Sequence, residues 1–163
     1  MACPMIPIAP IFIKSKETLQ KLSLLLDEER LAYGGSDSEV IISLSEQKQT
    51  LLDEMNQLNE KRVNVLIKFD VLDRKKPTEQ DFKDWLNLQD SSMDEVRLLM
   101  QECEALLKKC KTQNNTNAQV LNTLQKRNKY LFELLQGHSS KNKVYTSRGS
   151  TRPISSKQTL GRA

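Results

Sequence analysis

Glycine and proline are scarce in this chain, five of each in 163 residues. A β-sandwich or a doubly wound α/β fold needs many tight turns and β-branched runs, so the composition excludes both. Histidine is scarcer still. His138 stands alone behind Gly137, and no second ligand lies at metal spacing. Neither GxxxxGK[ST] nor GxGxxG occurs, so Gly34-Gly35 is not a phosphate loop. The acidic pairs Glu28/Glu29 and Asp53/Glu54 are neighbours whose side chains diverge on a helix and are expected on solvated faces. No nucleophile has a base at hand. The residues point away from an enzyme and imply neither a cofactor nor a metal.

Cysteine is equally sparse. Cys3, Cys103 and Cys110 are an odd number and no disulfide framework. Cys103 and Cys110, seven apart, stand about 10 Å apart along a helix, too far to bridge or to share one zinc. They read as small core residues of a reducing compartment. A long apolar run is also missing. Met1 to Ile13 is apolar, but it holds three prolines, no basic residue before the run and too few residues to span a bilayer. It reads as residues 1–13 of an arm packing on the body, or a start-site extension, with a membrane or partner anchor as the alternative. Stable membrane insertion is not expected.

What is abundant is leucine, 24 residues, together with 28% charged residues. Long helices with narrow apolar stripes have this composition. The first signal runs from about Ile13 to Tyr33, with Leu19, Leu22, Leu26 and Tyr33 on one stripe, Leu25 widening it and Gly34-Gly35 ending it. Ser36, Asp37 and Ser38 then offer N-cap oxygens. From Ile41, steps of three and four meet Leu44, Lys48, Leu51, Met55, Leu58, Arg62, Val65, Phe69 and Leu72. A helix of that extent is about 50 Å long and needs a companion.

Pro77 marks the next break, before a start near Thr78. From Phe82 the same stepping passes Leu86, Gln89, Met93, Val96, Met100, Cys103, Leu107 and Cys110. It continues through Asn114, Asn117, Leu121, Leu124, Asn128, Leu131 and Leu135. Asp90–Glu95 resembles a fresh N-cap, so 78–136 is one helix or two. The polar stretch 112–117 is either a break or a polar layer inside a continuous helix.

The expected fold is all-α: an elongated antiparallel helical bundle or coiled coil of three to four helices over residues 14–136. Residues 137–163 hold six basic and no acidic residues, with nine Ser/Thr, and are expected to form a disordered basic tail. The preceding residues carry 19 basic and 21 acidic groups. Three readings follow: a module that lays a partner helix against its stripe, a coiled-coil scaffold or homodimerising adaptor, and a nucleic-acid binder using the tail. The tail has Tyr145 as its one aromatic, so stacking platforms are lacking and no specific nucleic acid is expected. The seam Leu44, Leu51, Met55 and Leu58 reads as core. Leu121, Leu124, Leu131 and Leu135 read equally as core or as an open binding face, because they follow the polar stretch.

Several segments resemble one family. Leu25-Leu26-Asp27-Glu28-Glu29-Arg30-Leu31-Ala32 leads through a turn to Leu44-Ser45-Glu46-Gln47-Lys48-Gln49-Thr50-Leu51-Leu52. This is similar to the front half of FlgN-type flagellar export chaperones. Leu106-Leu107, Cys110, Gln113-Asn114, Asn117 and Val120-Leu121 resemble the family's second-half signature. Tyr130–Gly137 resembles the end of its last helix, and Val144–Gly149 a tyrosine-then-glycine element after it. The resemblance covers about residues 19–150. It implies a bacterial cytoplasmic chaperone that binds the hook-associated proteins FlgK and FlgL and passes them to the flagellar type III export apparatus. It implies substrate contacts at Leu121, Leu124, Asn128, Leu131 and Leu135, and docking to the export machinery through Tyr145 and Gly149. It leaves the oligomeric state open.

Overall fold

A computed structural model describes residues 6–35, 37–136, 143–145 and 151–153. The chain divides into two compact units, residues 1–117 and 118–163. Among the described residues four α-helices and a one-turn 3₁₀ helix follow one another, and the architecture is a helical bundle.

Helix α1 (Ala9–Ala32) begins four residues before the start expected from periodicity. Pro10 sits in its first turn, where a missing N–H costs nothing. Ile8 and Phe12 are buried, so the second half of the apolar N-terminal stretch is the anchored start of a helix. Gly34-Gly35 does end α1, but by another route than the one expected. Gly34 and Gly35 donate back to Leu31 O and Ala32 O in tightened turns, and neither glycine is left-handed.

Helix α2 (Ser38–Lys68) starts on Asp37, whose carboxylate accepts from the Glu39 and Val40 amides. It stops before Phe69, short of the Leu72 reached by periodicity. Asp70 is left-handed, with φ 57°. Val71 N–H bonds to Leu66 O at 2.9 Å and Asp70 N–H to Ile67 O at 3.1 Å, the two bonds of a Schellman motif. An aspartate thus holds the conformation usually given to glycine, and the turn returns Leu72 to the core.

Helix α3 (Glu79–Asn87) is capped by the Thr78 hydroxyl, which accepts from Asp81 N–H. Phe82 and Leu86 bury one face of it, and Phe82 stacks on Phe12 at 6.0 Å and on Trp85 at 6.1 Å. After the 3₁₀ turn Ser91–Met93, capped by Asp90, helix α4 (Asp94–Leu135) runs without interruption. Residues 78–136 therefore hold two helices, and the polar stretch 112–117 is not a break. Arg97 fixes the turn between them, donating to Leu86 O at 2.8 Å and to Gln89 O at 2.5 Å.

In the first unit α1 lies between α2 and α4. Its ion pairs with α2, Lys14–Glu54 and Lys48–Glu29, join early residues to late ones, so those two helices are antiparallel. Toward α4 the pattern reverses. Cys103, Cys110, Gln113 and Asn117 donate to the carbonyls of Phe12, Leu19, Ser23 and Leu26, always 90 or 91 residues away. A constant offset means that α1 and α4 run parallel, in one register. The core joins Leu19, Leu22 and Leu26 of α1 to Leu66, Phe82, Leu86, Val96 and Leu99. Leu44 and Leu58 are buried as expected of the seam, while Leu51 and Met55 are half-buried.

In the second unit, Lys143–Tyr145 and Thr151–Pro153 form an antiparallel pair of strands, β1 and β2, with Val144 opposite Arg152. The rest of the tail, on which the expectation of disorder falls, lies outside the described residues.

Asp70→Gly should relieve the left-handed strain and raise stability, by up to about 1 kcal/mol. Asp70→Val should lower it by at least as much. Thermal unfolding by circular dichroism checks both, and a lower melting temperature for the glycine variant would contradict the assigned role of the turn.

Candidate functional site

Three features of the helices bear on function: a buried polar layer, an apolar groove in the first unit, and an apolar stripe on the final turns of α4. The polar layer fixes how α1 and α4, which line the groove, are aligned. Glu29 of α1 is only 4% exposed. Its carboxylate accepts from Lys48 of α2 and, at 2.9 Å, from Asn117 Nδ2 of α4. The Tyr33 hydroxyl donates to it as well. Asn117 Nδ2 also donates to Leu26 O at 2.7 Å. One turn away, Gln113 Oε1 accepts from Ser23 Oγ at 2.9 Å and Gln113 Nε2 donates to Ser23 O at 3.1 Å. Asn117 Oδ1 has no donor among the described residues.

Electrostatics at Glu29 are a contest. Burial pushes its carboxyl up, but the hydrogen bonds from Lys48 and Asn117 and the charge of Lys48 outweigh this and hold it below the ordinary carboxylate value. Burial, then the nearby Glu29 charge, pushes the Tyr33 phenol up. Burial also raises both Cys103 and Cys110, so these thiols are poor nucleophiles and serve as small packing residues.

The polar stretch is thus a polar layer, one of the two alternatives left open by the sequence. Its members are Gln113 and Asn117. Asn114, which the stepping placed on the stripe, faces solvent. Sequence reasoning missed Glu29 and Gln113 as a buried set. Their signal was present, a carboxylate on an apolar face and an amide four residues before Asn117, but it shows only once the helices are paired.

The groove has a volume of about 660 Å3 and lies in the first unit between α2 and α4. Leu19 and Leu22 of α1 form its floor, Leu52, Met55 and Leu58 one wall, and Met100, Cys103 and Leu107 the other. Leu107 is 56% exposed. Such a channel accepts the apolar face of a short helix. Of these residues the sequence pattern read Met55, Leu58 and Cys103 as core, and it left Leu52 off the stripe.

The stripe belongs to the second unit. Leu121, Leu124, Asn128, Leu131 and Leu135 share one face at alternating steps of three and four. Leu124 is half-buried and the other four are exposed, Leu131 by 46% and Leu135 by 87%. Tyr130, Phe132 and Leu134 are exposed beside them. Tyr145 is the last residue of β1, with its backbone opposite Thr151. Gly149 lies outside the described residues. Among the described residues there is no group of His, Cys, Asp and Glu that could hold a metal, and no helix long and apolar enough to cross a membrane.

Because the Glu29 carboxyl is held low in the folded state, its contribution to stability is complete above the ordinary carboxylate range. It is lost as pH falls through the folded value. Glu29→Gln should therefore flatten the acid side of a stability-versus-pH curve. Lys48→Met should destabilise by less than the roughly 3–5 kcal/mol of a fully enclosed pair, since the Lys48 side chain is only partly buried. The double variant Glu29→Gln/Lys48→Met should recover much of that loss. Urea unfolding across pH measures all three, and additive losses would show that the two groups are not coupled.

No curated protein and no solved structure matches this chain. A family model does, that of the FlgN protein, over residues 9–153. The matched span takes in all four helices and both strands. The chain belongs to the FlgN family, whose members are flagellar export chaperones.

Proposed function

We propose that this chaperone binds the hook–filament junction proteins FlgK and FlgL in the bacterial cytoplasm. It holds an apolar terminal helix of each and hands it to the flagellar type III export apparatus. The observation that carries this reading is the stripe Leu121, Leu124, Leu131 and Leu135, about four turns of α4 along which Leu121, Leu131 and Leu135 are exposed and Leu124 is half-buried. A monomeric protein rarely leaves such a surface bare unless something docks on it. A helix laid along this face would bury leucines on both partners, and recognition of this kind needs neither a nucleotide nor a catalytic group. Asn128 in mid-stripe fits a partner that must be released. A polar residue among leucines fixes register and costs affinity. Docking to the export machinery is assigned to the Tyr145 and Gly149 element, by its likeness to the family.

Two double variants separate the stripe from the groove. Leu124→Ala/Leu131→Ala should weaken binding of a FlgK C-terminal segment about tenfold or more, worth roughly 1.4 kcal/mol or above. Its melting temperature should stay close to that of the parent, because sites open to solvent lose less than the roughly 2–5 kcal/mol of closed core. Leu52→Ala/Leu107→Ala should leave that affinity in place. Calorimetric titration beside thermal unfolding reads both quantities. The reverse result would move the substrate to the α2–α4 groove, and retained binding in both would refute helix docking on either face.

A further inference from the structure

The two units differ sharply in charge. Residues 1–117 carry sixteen Lys/Arg and twenty Asp/Glu, whereas residues 118–163 carry nine Lys/Arg against the single acid Glu133. The boundary falls where the buried layer ends and the exposed stripe begins. Pairing differs in the same way. The ion pairs formed by the described residues, such as Lys16–Glu102, Arg62–Glu79 and Lys83–Glu104, all lie before residue 105. Lys126, Arg127 and Lys129 are in none of them. All three are exposed, but of the three Arg127 lies nearest the leucine seam. With Leu121, Asn128 and Leu135 at one core position of a heptad and Leu124 and Leu131 at the other, Arg127 takes a flanking position. Flanking charges set the choice of partner in helix pairs. Lys126 and Lys129 point further out, where charges act on the rate of encounter.

We infer that the helix received by this stripe carries acidic side chains beside its apolar face. The inference rests on the docking reading above and adds the chemistry of the partner. An acidic helix is drawn to the cationic unit and repelled by the first unit, whose apolar groove would otherwise compete for it. The charge partition thus selects between two apolar surfaces on one chain, by attraction at one and repulsion at the other. An anionic membrane would also be attracted, but the stripe fits it less well. A helix lying in a lipid interface buries a broad apolar face along its length. Here Asn122, Thr123, Gln125 and Asn128 leave only a narrow row of leucines over the first turns.

Three synthetic helical peptides of about four turns test the inference. They share one leucine stripe and differ in their flanks, which are Glu, Gln or Lys. Fluorescence anisotropy with the full chain should show the Glu-flanked peptide binding about tenfold or more tighter than the Lys-flanked one at low salt, with the gap narrowing near ~0.15 M. Lys126→Glu/Arg127→Glu/Lys129→Glu should invert that order. The corresponding triple Gln variant, which keeps size and exposure, should level it. Circular dichroism confirms that both variants keep their helices. Equal affinity for all three peptides would overturn the inference. So would tighter binding, with the same dependence on the three cations, to phosphatidylglycerol vesicles, to a DNA duplex or to a second copy of the chain in sedimentation. Leu124→Ala/Leu131→Ala separates the two levels of the reading. If it abolishes binding of all three peptides while their flanks make no difference, helix docking stands and the acidic partner falls. If it changes nothing, the docking reading itself falls.

Discussion

A carboxylate sealed among three helices must be met by donors, and here the donors come from three places at once. Glu29 takes Lys48 from α2, Asn117 from α4 and Tyr33 from its own helix. The apolar contacts around it could not choose one alignment over another, since leucine, methionine and cysteine pack tolerably in several registers. Sliding α4 by one turn would remove Asn117 from Glu29 and Gln113 from Ser23. Buried polar groups would lose their partners at a cost of several kcal/mol. The polar layer is the part of the interior that discriminates between alignments. The parallel register of α1 and α4, with its ladder of side chains on main-chain carbonyls, follows from it.

That register also explains why an apolar channel is left open. With α1 between them, α2 and α4 each spend one face on it and turn a second face toward the gap. Helix α3 has only nine residues and fills one end through Phe82 and Trp85. Arg62 joins the same end, over the Phe12 ring and paired with Glu79. The groove therefore comes from a bundle with too little helix to close it. The stripe in the second unit has a different origin, a helix that continues past the last partner its own leucines find among the described residues.

Much of this was legible in the sequence because the signals were local. Asp37, Thr78 and Asp90 cap helices as their side chains suggest, and Pro77 marks the break before α3. The stripe Leu19, Leu22 and Leu26 is core. The errors share a cause. Asp70 ends α2 through a backbone angle that no residue type announces, so periodicity carried the helix to Leu72. Steps of three and four drifted by one residue at Asn114, because the choice between a three and a four is made by the facing helix. Periodicity tells which residues share a face but not what lies opposite. For that reason Met55 and Leu58 of the groove passed for core, and the stripe at Leu121–Leu135 stayed undecided until exposures were known.

The offset of 90 or 91 residues between α1 and α4 has a consequence for the order of events during synthesis. Helices α1 and α2 meet across a short turn and form an early, local hairpin. The partners of Phe12, Leu19, Ser23 and Leu26 are made almost a hundred residues later. Closing a loop of that length is slow compared with closing a hairpin. Until Asn117 has left the ribosome, Glu29 has only Lys48 and Tyr33 to satisfy it, and the face of α1 that packs on α4 waits uncovered. A chaperone of this family thus passes through a stage in which one face of its own central helix is unguarded, and the charged, half-satisfied Glu29 in the middle of that face disfavours wrong apolar partners while it waits.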